Sequence, residues 1–287
     1  MKLIATDMDG TLLNELGEVS PENVQAIQKA LDKGIQVIVA TGRSYDGASK
    51  IIHEAGLSLP IICLNGAMTY TENKELIKEI PMERGIVQKI QKLCERENLY
   101  YEIFSQNKSY SVGREEFKQV MIDIAKTTNP LIPKEELNER AEQRLQEEEV
   151  EITEDFDELL ANQDLHFYKL LAFSLDKDIL TKIAKEFQEE PSLAITASGD
   201  INIEFNHIDA QKGFAVKEFA ESHGIDMKDV MTLGDHFNDE SMLRMAGRGV
   251  AMGNADEAIK KIATYTTKAN TEHGVAYAIE QMLSEID

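Results

Sequence analysis

Short apolar runs recur along the chain, and each gives way abruptly to polar residues. Leu3-Ile4-Ala5, Ile35-Gln-Val-Ile-Val-Ala40, Ile61-Ile-Cys-Leu64 and Val230-Met-Thr-Leu233 are nearly continuous in apolar side chains. Strands of a parallel sheet, covered on both faces, have that pattern. Between the first two runs, Ser20-Pro21-Glu22-Asn23 has the composition of a helix start: Ser as N-cap, Pro at the first helical position and acid in the first turn. Val24, Ile27, Ala30 and Leu31 then repeat at helical spacing, and Gly34 ends the run. A further helical pattern covers 45–55. Strand, helix, strand, helix, strand in that order predicts a parallel sheet with helices on its faces. Residues 68–70 and 76–80 bracket Thr71-Glu-Asn-Lys74 as a hairpin.

Near Pro81 the pattern changes. A helix is expected over 83–98, a hairpin over 100–112 around Asn107-Lys108, and a strongly acidic helical stretch over 115–158, including Glu147-Glu-Glu149 and Glu154-Asp155. The acidic stretch reads as a solvated helical face. A strand at 167–175, a helix at 179–188 and a hairpin around Ser198-Gly199-Asp200 follow. The parallel pattern resumes after Asn206, with a helix beyond Lys212 and strands at 230–233, 248–252 and 263–266. The expected fold class is therefore α/β: a doubly wound, Rossmann-like parallel sheet core (1–81 and 207–287) with an inserted α+β domain (82–206). Gly247, Gly249 and Gly253 lack the spacing of a dinucleotide-binding loop and are read as tight turns.

Charge narrows the partners. Asp and Glu number 52 against 30 Lys and Arg, a formal net charge of −22. No basic surface is available to neutralise nucleic acid or an anionic membrane. A small phosphorylated ligand held by a metal and a few local cations remains compatible. No apolar run has the length of a membrane span, and the N-terminus enters a strand directly. Cys63 and Cys94 are the only cysteines, and Cys63 sits in an apolar run, as a buried reduced thiol would. A cytoplasmic protein, monomeric or a small homo-oligomer, is expected.

The candidate chemistry lies where the apolar runs end. Asp7 and Asp9 follow the first; if that strand persists to Asp9, both carboxylates point to one side. Thr41-Gly42 follow the second, Asn65-Gly66 the third, and Asp235, Asn238 and Asp239 the fourth, while Lys212 precedes a helix. In parallel strands these ends share one sheet edge, where open α/β sheets bind ligands. Acids for a divalent cation, a hydroxyl and a backbone amide for an anion, and a lysine for phosphate compose a phosphoryl-transfer site.

These residues resemble the motifs of the haloacid dehalogenase-like hydrolases, specifically their Cof-type phosphatases with a large α/β cap. Asp7-Met8-Asp9-Gly10-Thr11, Thr41-Gly42-Arg43, Lys212 and Gly234-Asp235-x-x-Asn238-Asp239 are similar to the family's four motifs in order, and Val250-Ala-Met-Gly-Asn254-Ala resembles the subfamily. The resemblance implies a Mg²⁺-dependent phosphatase of small phosphorylated metabolites, sugar phosphates foremost. Asp7 would be the nucleophile and Asp9 the acid/base. Mg²⁺ would be held by Asp7, the main-chain carbonyl of Asp9, and Asp235, with Asp239 in support. Met8, Thr41, Gly42, Lys212 and Asn238 would bind phosphate oxygens. The inserted domain would act as a closing cap that selects substrate. A phosphomutase using the same residues, or a receiver-like phospho-acceptor protein, are the alternatives.

Overall fold

The structure, a computed structural model, describes residues 1–106, 108–128, 133, 135–139, 142, 150–153, 155–199 and 201–285. The chain divides into two compact units, Met1–Glu79 with Asp209–Asp287, and Ile80–Ile208. Among the described residues, no helix is long and apolar enough to cross a membrane.

The first unit is built on one sheet. Its strands are β1 (Leu3–Thr6), β2 (Gln36–Ala40), β3 (Ile61–Cys63), β4 (Met68–Tyr70), β5 (Leu76–Glu79), β12 (Val230–Gly234), β13 (Arg248–Ala251) and β14 (Tyr265–Thr266). Their order is β14-β13-β12-β1-β2-β3-β4-β5, parallel from β14 to β3 and antiparallel beyond. The apolar character of β1 follows from its position: with a parallel neighbour on either side, all four of its residues are buried. Leu3, Ala5, Ile38, Ala40 and Ile62 pack on Ala215, Val216, Phe219 and Ala220 of the helix Lys212–Ser222. The helix Pro21–Asp32 starts as its sequence dictates, with Ser20 Oγ accepting from Asn23 N at 3.3 Å. Strand order reverses at β1, since β2 lies on one side and β12 on the other. Connections leaving the carboxyl ends of β1 and β12 therefore diverge, which opens the crevice that α/β sheets use for ligands.

The second unit holds β6 (Tyr100–Ser105), β7 (Ser109–Ser111), β8 (Val150–Ile152), β9 (Phe167–Phe173), β10 (Leu193–Thr196) and β11 (Asn202–His207), ordered β10-β11-β9-β6-β7-β8. Alternation puts Tyr101, Ile103, Leu170, Ala172, Ile203 and Phe205 on one face, packed with helices Arg84–Arg96, Phe156–Ala161 and Lys177–Phe187. The opposite face mixes polar and apolar side chains and is also buried. On it Lys169 lies 3.5 Å from Glu204 and 4.4 Å from the Phe104 ring centroid, while Tyr100 donates to Glu102 at 2.9 Å.

Two expectations require correction. The stretch 115–158 is not helical throughout: after the helix Arg114–Thr128, Val150-Glu-Ile152 pairs in parallel beside β7. Two β-branched residues and an available sheet edge override the acidic helical pattern there. Asn107, Glu147–Glu149, Glu154 and Asp200 lie outside the described residues. Of the three glycines read as tight turns, Gly247 and Gly253 do lie in turns, whereas Gly249 lies inside β13, and none of them holds a positive φ. They are glycines because backbone crowds them: an added Cβ would meet Lys228 O at 2.1 Å, Leu243 O at 2.1 Å and Ala269 N at 2.6 Å respectively.

Candidate active site

β1 stops at Thr6, three residues short of Asp9, to which it would have to run for the two acids to stand side by side. Asp7 takes an extended conformation and donates its backbone N–H to Leu233 O at 3.0 Å, which extends the pairing with β12 by one residue. The chain then turns, with Leu12 N donating to Asp7 O and Leu13 N to Met8 O. Gly10 makes the turn possible, at φ +74°. Asp7 and Asp9 thus part company. Asp7 is buried, whereas the Asp9 side chain is 59% exposed and gripped by Arg43, Nε to Oδ2 at 2.8 Å and Nη2 to Oδ1 at 2.7 Å. The alternation rule failed because it applies only inside a strand.

Around Asp7 the distant segments converge. Lys212, fully buried at the start of its helix, donates from Nζ to Asp7 Oδ1 and to Asp239 Oδ1, each at 2.6 Å. Asp239 is fixed further by the backbone N–H groups of Asp235 and His236, which donate to its Oδ2 at 2.8 and 3.1 Å. Asp235 accepts from Thr11 Oγ1 at 3.1 Å. Two glycines clear the space: a Cβ on Gly10 would lie 2.3 Å from Asp235 Oδ2, and one on Gly234 2.5 Å from Asp239 Cβ. Gly213 lets the Lys212 helix approach the backbone of Ser241, whose Oγ accepts from Gly213 N at 2.9 Å.

Electrostatics follow from that crowding. Burial first, then the Asp239 charge, hold the Asp7 carboxyl well above its ordinary value, although Lys212 pulls the other way. Asp235 is pushed up to about 7 by burial and by Asp239. Burial alone would lower Lys212, but Asp239 and Asp7 outweigh it and raise its pKa. Three carboxylates facing one ammonium leave an excess of two negative charges, which is the charge of one divalent cation. The donor set fits such an ion, because an oxygen from each of Asp7, Asp235 and Asp239 can lie within 4.8 Å of the others. Hard cations prefer all-oxygen ligands of this kind.

The remaining predicted site residues stand on the neighbouring strand ends. Thr41 is fully buried just past β2, and its Oγ1 accepts from Arg43 N at 3.2 Å. Gly42 lies between these two, and Met8 begins the turn beyond Asp7 with its side chain buried. Asn238 is buried and donates from Nδ2 to Asn65 Oδ1 at 3.3 Å. Asn65 was legible only as a strand-end residue. The structure adds that Leu64 and Asn65 both hold positive φ, at 49° and 61°, a costly backbone that presents the Asn65 amide to Asn238. Thr11 was missed as a partner of Asp235, and Arg43 as a partner of Asp9. Both sit inside short motifs whose spacing says nothing of side-chain direction.

Comparisons with known proteins identify the family. The family model for haloacid dehalogenase-like hydrolases matches residues 4–279. Phosphatase YwpJ of Bacillus subtilis (strain 168) is 36% identical over 286 residues, covering 99% of this chain and 100% of that one. The 5-amino-6-(5-phospho-D-ribitylamino)uracil phosphatase YwtE of the same organism is 34% identical over 285 residues, covering 99% of each. A solved haloacid dehalogenase-like hydrolase from B. subtilis superposes with a TM-score of 0.90 at 35% identity, covering 98% of this chain and 100% of that one. With Asp7, Lys212, Asp235 and Asp239 gathered at the reversal point of its parallel sheet, the chain belongs to the haloacid dehalogenase-like hydrolases of Cof type and is a phosphoric monoester hydrolase.

Proposed function

We propose that this chain is a Mg²⁺-dependent phosphatase that hydrolyses small phosphorylated metabolites, sugar and sugar-alcohol phosphates foremost, through an aspartyl-phosphate on Asp7. The observation that carries the reading is the pairing of Lys212 with Asp7 within a triad of acids. A carboxylate attacks a phosphate dianion only where the repulsion between them is offset. Lys212 offsets part of it; Asp7, Asp235 and the Asp9 carbonyl, with Asp239 in support, would hold a divalent ion whose charge would offset the rest.

Asp7 Oδ attacks phosphorus while the ester oxygen leaves. Asp9, on the exposed side of the turn, gives that oxygen a proton and later takes one from the water that opens the acyl-phosphate. Thr41, Asn238, Lys212 and the amides of Met8 and Gly42 hold the phosphoryl oxygens. The unit Ile80–Ile208 contributes substrate selection. YwtE is named for a substrate whose phosphate sits on a ribityl chain, which supports a polyhydroxylated leaving group here.

The test is hydrolysis of p-nitrophenyl phosphate and of a sugar-phosphate panel, with Mg²⁺ and in EDTA, with hydroxylamine added to trap an acyl-phosphate. Turnover that requires Mg²⁺ and yields a hydroxamate at Asp7 is expected. Turnover undiminished in chelator, or wild type inert toward every ester, overturns the reading.

A further inference from the structure

The turn that carries Asp7 and Asp9 is held from outside by three asparagine side chains. Asn254 Nδ2 donates to Gly10 O at 2.8 Å, Asn23 Nδ2 to Leu12 O at 3.0 Å, and Asn270 Nδ2 to Leu13 O at 2.8 Å. Two of these amides are fixed at the other end as well. Asn254 Oδ1 accepts from Asn270 N at 2.9 Å, and Asn23 Oδ1 from Ala276 N at 2.9 Å. Flipping either amide would set oxygen against carbonyl oxygen and NH₂ against N–H, so the network dictates its orientation. Asn254 and Asn270 are also joined to each other through that amide, and they reach the turn from the far end of the sequence.

The held backbone is coupled directly to the acid triad. Gly10 Cα lies so near Asp235 that an added Cβ would stand 2.3 Å from Oδ2, and Thr11 Oγ1 donates to Asp235 Oδ1 at 3.1 Å. Asp9, whose carbonyl is an expected metal ligand, immediately precedes Gly10. A displacement of the Gly10 peptide thus moves the Asp9 carbonyl and disturbs the Asp235 carboxylate together.

We infer that Asn254, joined to Asn270, is a positioning residue for the divalent-cation site: through the Gly10 carbonyl it keeps the Asp9 carbonyl and the Asp235 carboxylate in register. The inference rests on the metal-assisted reading above. Asn254 is exposed and Asn270 half-exposed, so water can satisfy the freed carbonyls and the fold should survive either truncation. Precision is what water does not restore, and loss of groups that orient metal ligands weakens metal affinity by about 10–100-fold.

The experiment is Mn²⁺ binding followed by electron paramagnetic resonance, on wild type, Asn254→Ala and Asn270→Ala, beside their melting temperatures in EDTA. The expected result is Mn²⁺ affinity at least about 10-fold weaker in both variants, with metal-free melting within about 2 °C of wild type. Wild-type affinity in the variants overturns the inference, as does weakening that appears only with a matching fall in melting temperature. The readout needs no turnover. A wild type that binds Mn²⁺ but hydrolyses no ester leaves this inference standing and removes the phosphatase reading, whereas a wild type that binds no Mn²⁺ removes both.

Discussion

Arg43 engages both carboxylate oxygens of Asp9 at once, through Nε at 2.8 Å and Nη2 at 2.7 Å. In the acid/base role proposed for Asp9, one of those oxygens would have to turn to the leaving oxygen, so the guanidinium would give up a bond as substrate enters and would remain nearby as a cation. Hydrogen bonds to charged groups contribute about 1.5–3 kcal/mol. Arg43→Ala should therefore lower kcat/KM by about 10–100-fold. Arg43→Lys should recover part of this, because it keeps the charge and loses the fork. Stability should barely move, since ion pairs this exposed contribute at most about 1 kcal/mol. Steady-state kinetics and thermal melting on the two variants check the claim, and full activity in Arg43→Ala would refute it.

Asp7→Asn should separate chemistry from folding. The amide keeps an oxygen for Lys212 and removes a buried carboxyl that its surroundings already disfavour as an anion. Hydrolysis is expected to fall by more than about 10³-fold, as for loss of other covalent nucleophiles. Melting in EDTA should equal or exceed that of wild type. A variant that retains substantial turnover, or that loses its fold, contradicts the assignment.

The raised acids also fix the pH dependence of the metal-free protein. Asp7 and Asp235 bind protons more tightly folded than unfolded, with Asp235 held near about 7. Their stabilising contribution is therefore complete below the unfolded carboxyl value, about 4. It is lost as pH rises through the folded values, because the native state there binds more protons than the unfolded one. Metal-free protein should lose stability from about pH 5 to about pH 8. Each kcal/mol lost lowers the melting temperature by about 2–4 °C at this chain length. Mg²⁺ should remove the slope by balancing the charge, and Asp235→Asn should reduce it. Lys212 contributes nothing in this window, since its raised value lies in the alkaline range. Calorimetry across the range in EDTA and in Mg²⁺ tests this, and a metal-free protein that stabilises with rising pH would refute it.

The difference between Asp7 and Asp9 shows how far the sequence could be read. Strand ends β1, β2, β3 and β12 were visible because parallel strands are buried on both faces and so are apolar along their whole length. That pattern also located Asp7, Thr41 and Asp235 at one sheet edge. It could not say that β1 stops at Thr6, because a single backbone bond from Asp7 N to Leu233 O and the φ of Gly10 decide it. The Arg43 fork and the Asn254 bond to Gly10 were invisible for a related reason. They join positions 34 and 244 residues apart, and no periodicity reports where such side chains point. In the second unit, the sequence showed β6, β7, β9, β10 and β11 but not β8, and it did not show the burial of Lys169 and Glu204 on the face opposite the apolar core, where pairing replaces solvent.

Two glycines make a controlled comparison. Gly10 and Gly17 have nearly the same φ, +74° and +77°, so alanine at either carries a left-handed penalty of about 1–2 kcal/mol. Their surroundings differ entirely. A Cβ at Gly17 meets nothing within 4 Å, whereas one at Gly10 would stand 2.3 Å from Asp235 Oδ2 and 2.8 Å from its Cγ. Gly17→Ala should lose that stability and keep its turnover. Gly10→Ala should incur a similar backbone cost and also drive Asp235 out of register with Asp7, so kcat/KM should fall by at least about 10²-fold, the range of a misplaced catalytic group. Urea denaturation and kinetics on the pair distinguish strain from geometry. Equal activities in the two variants would mean that Asp235 moves aside freely, and its place in the catalytic centre would have to be given up.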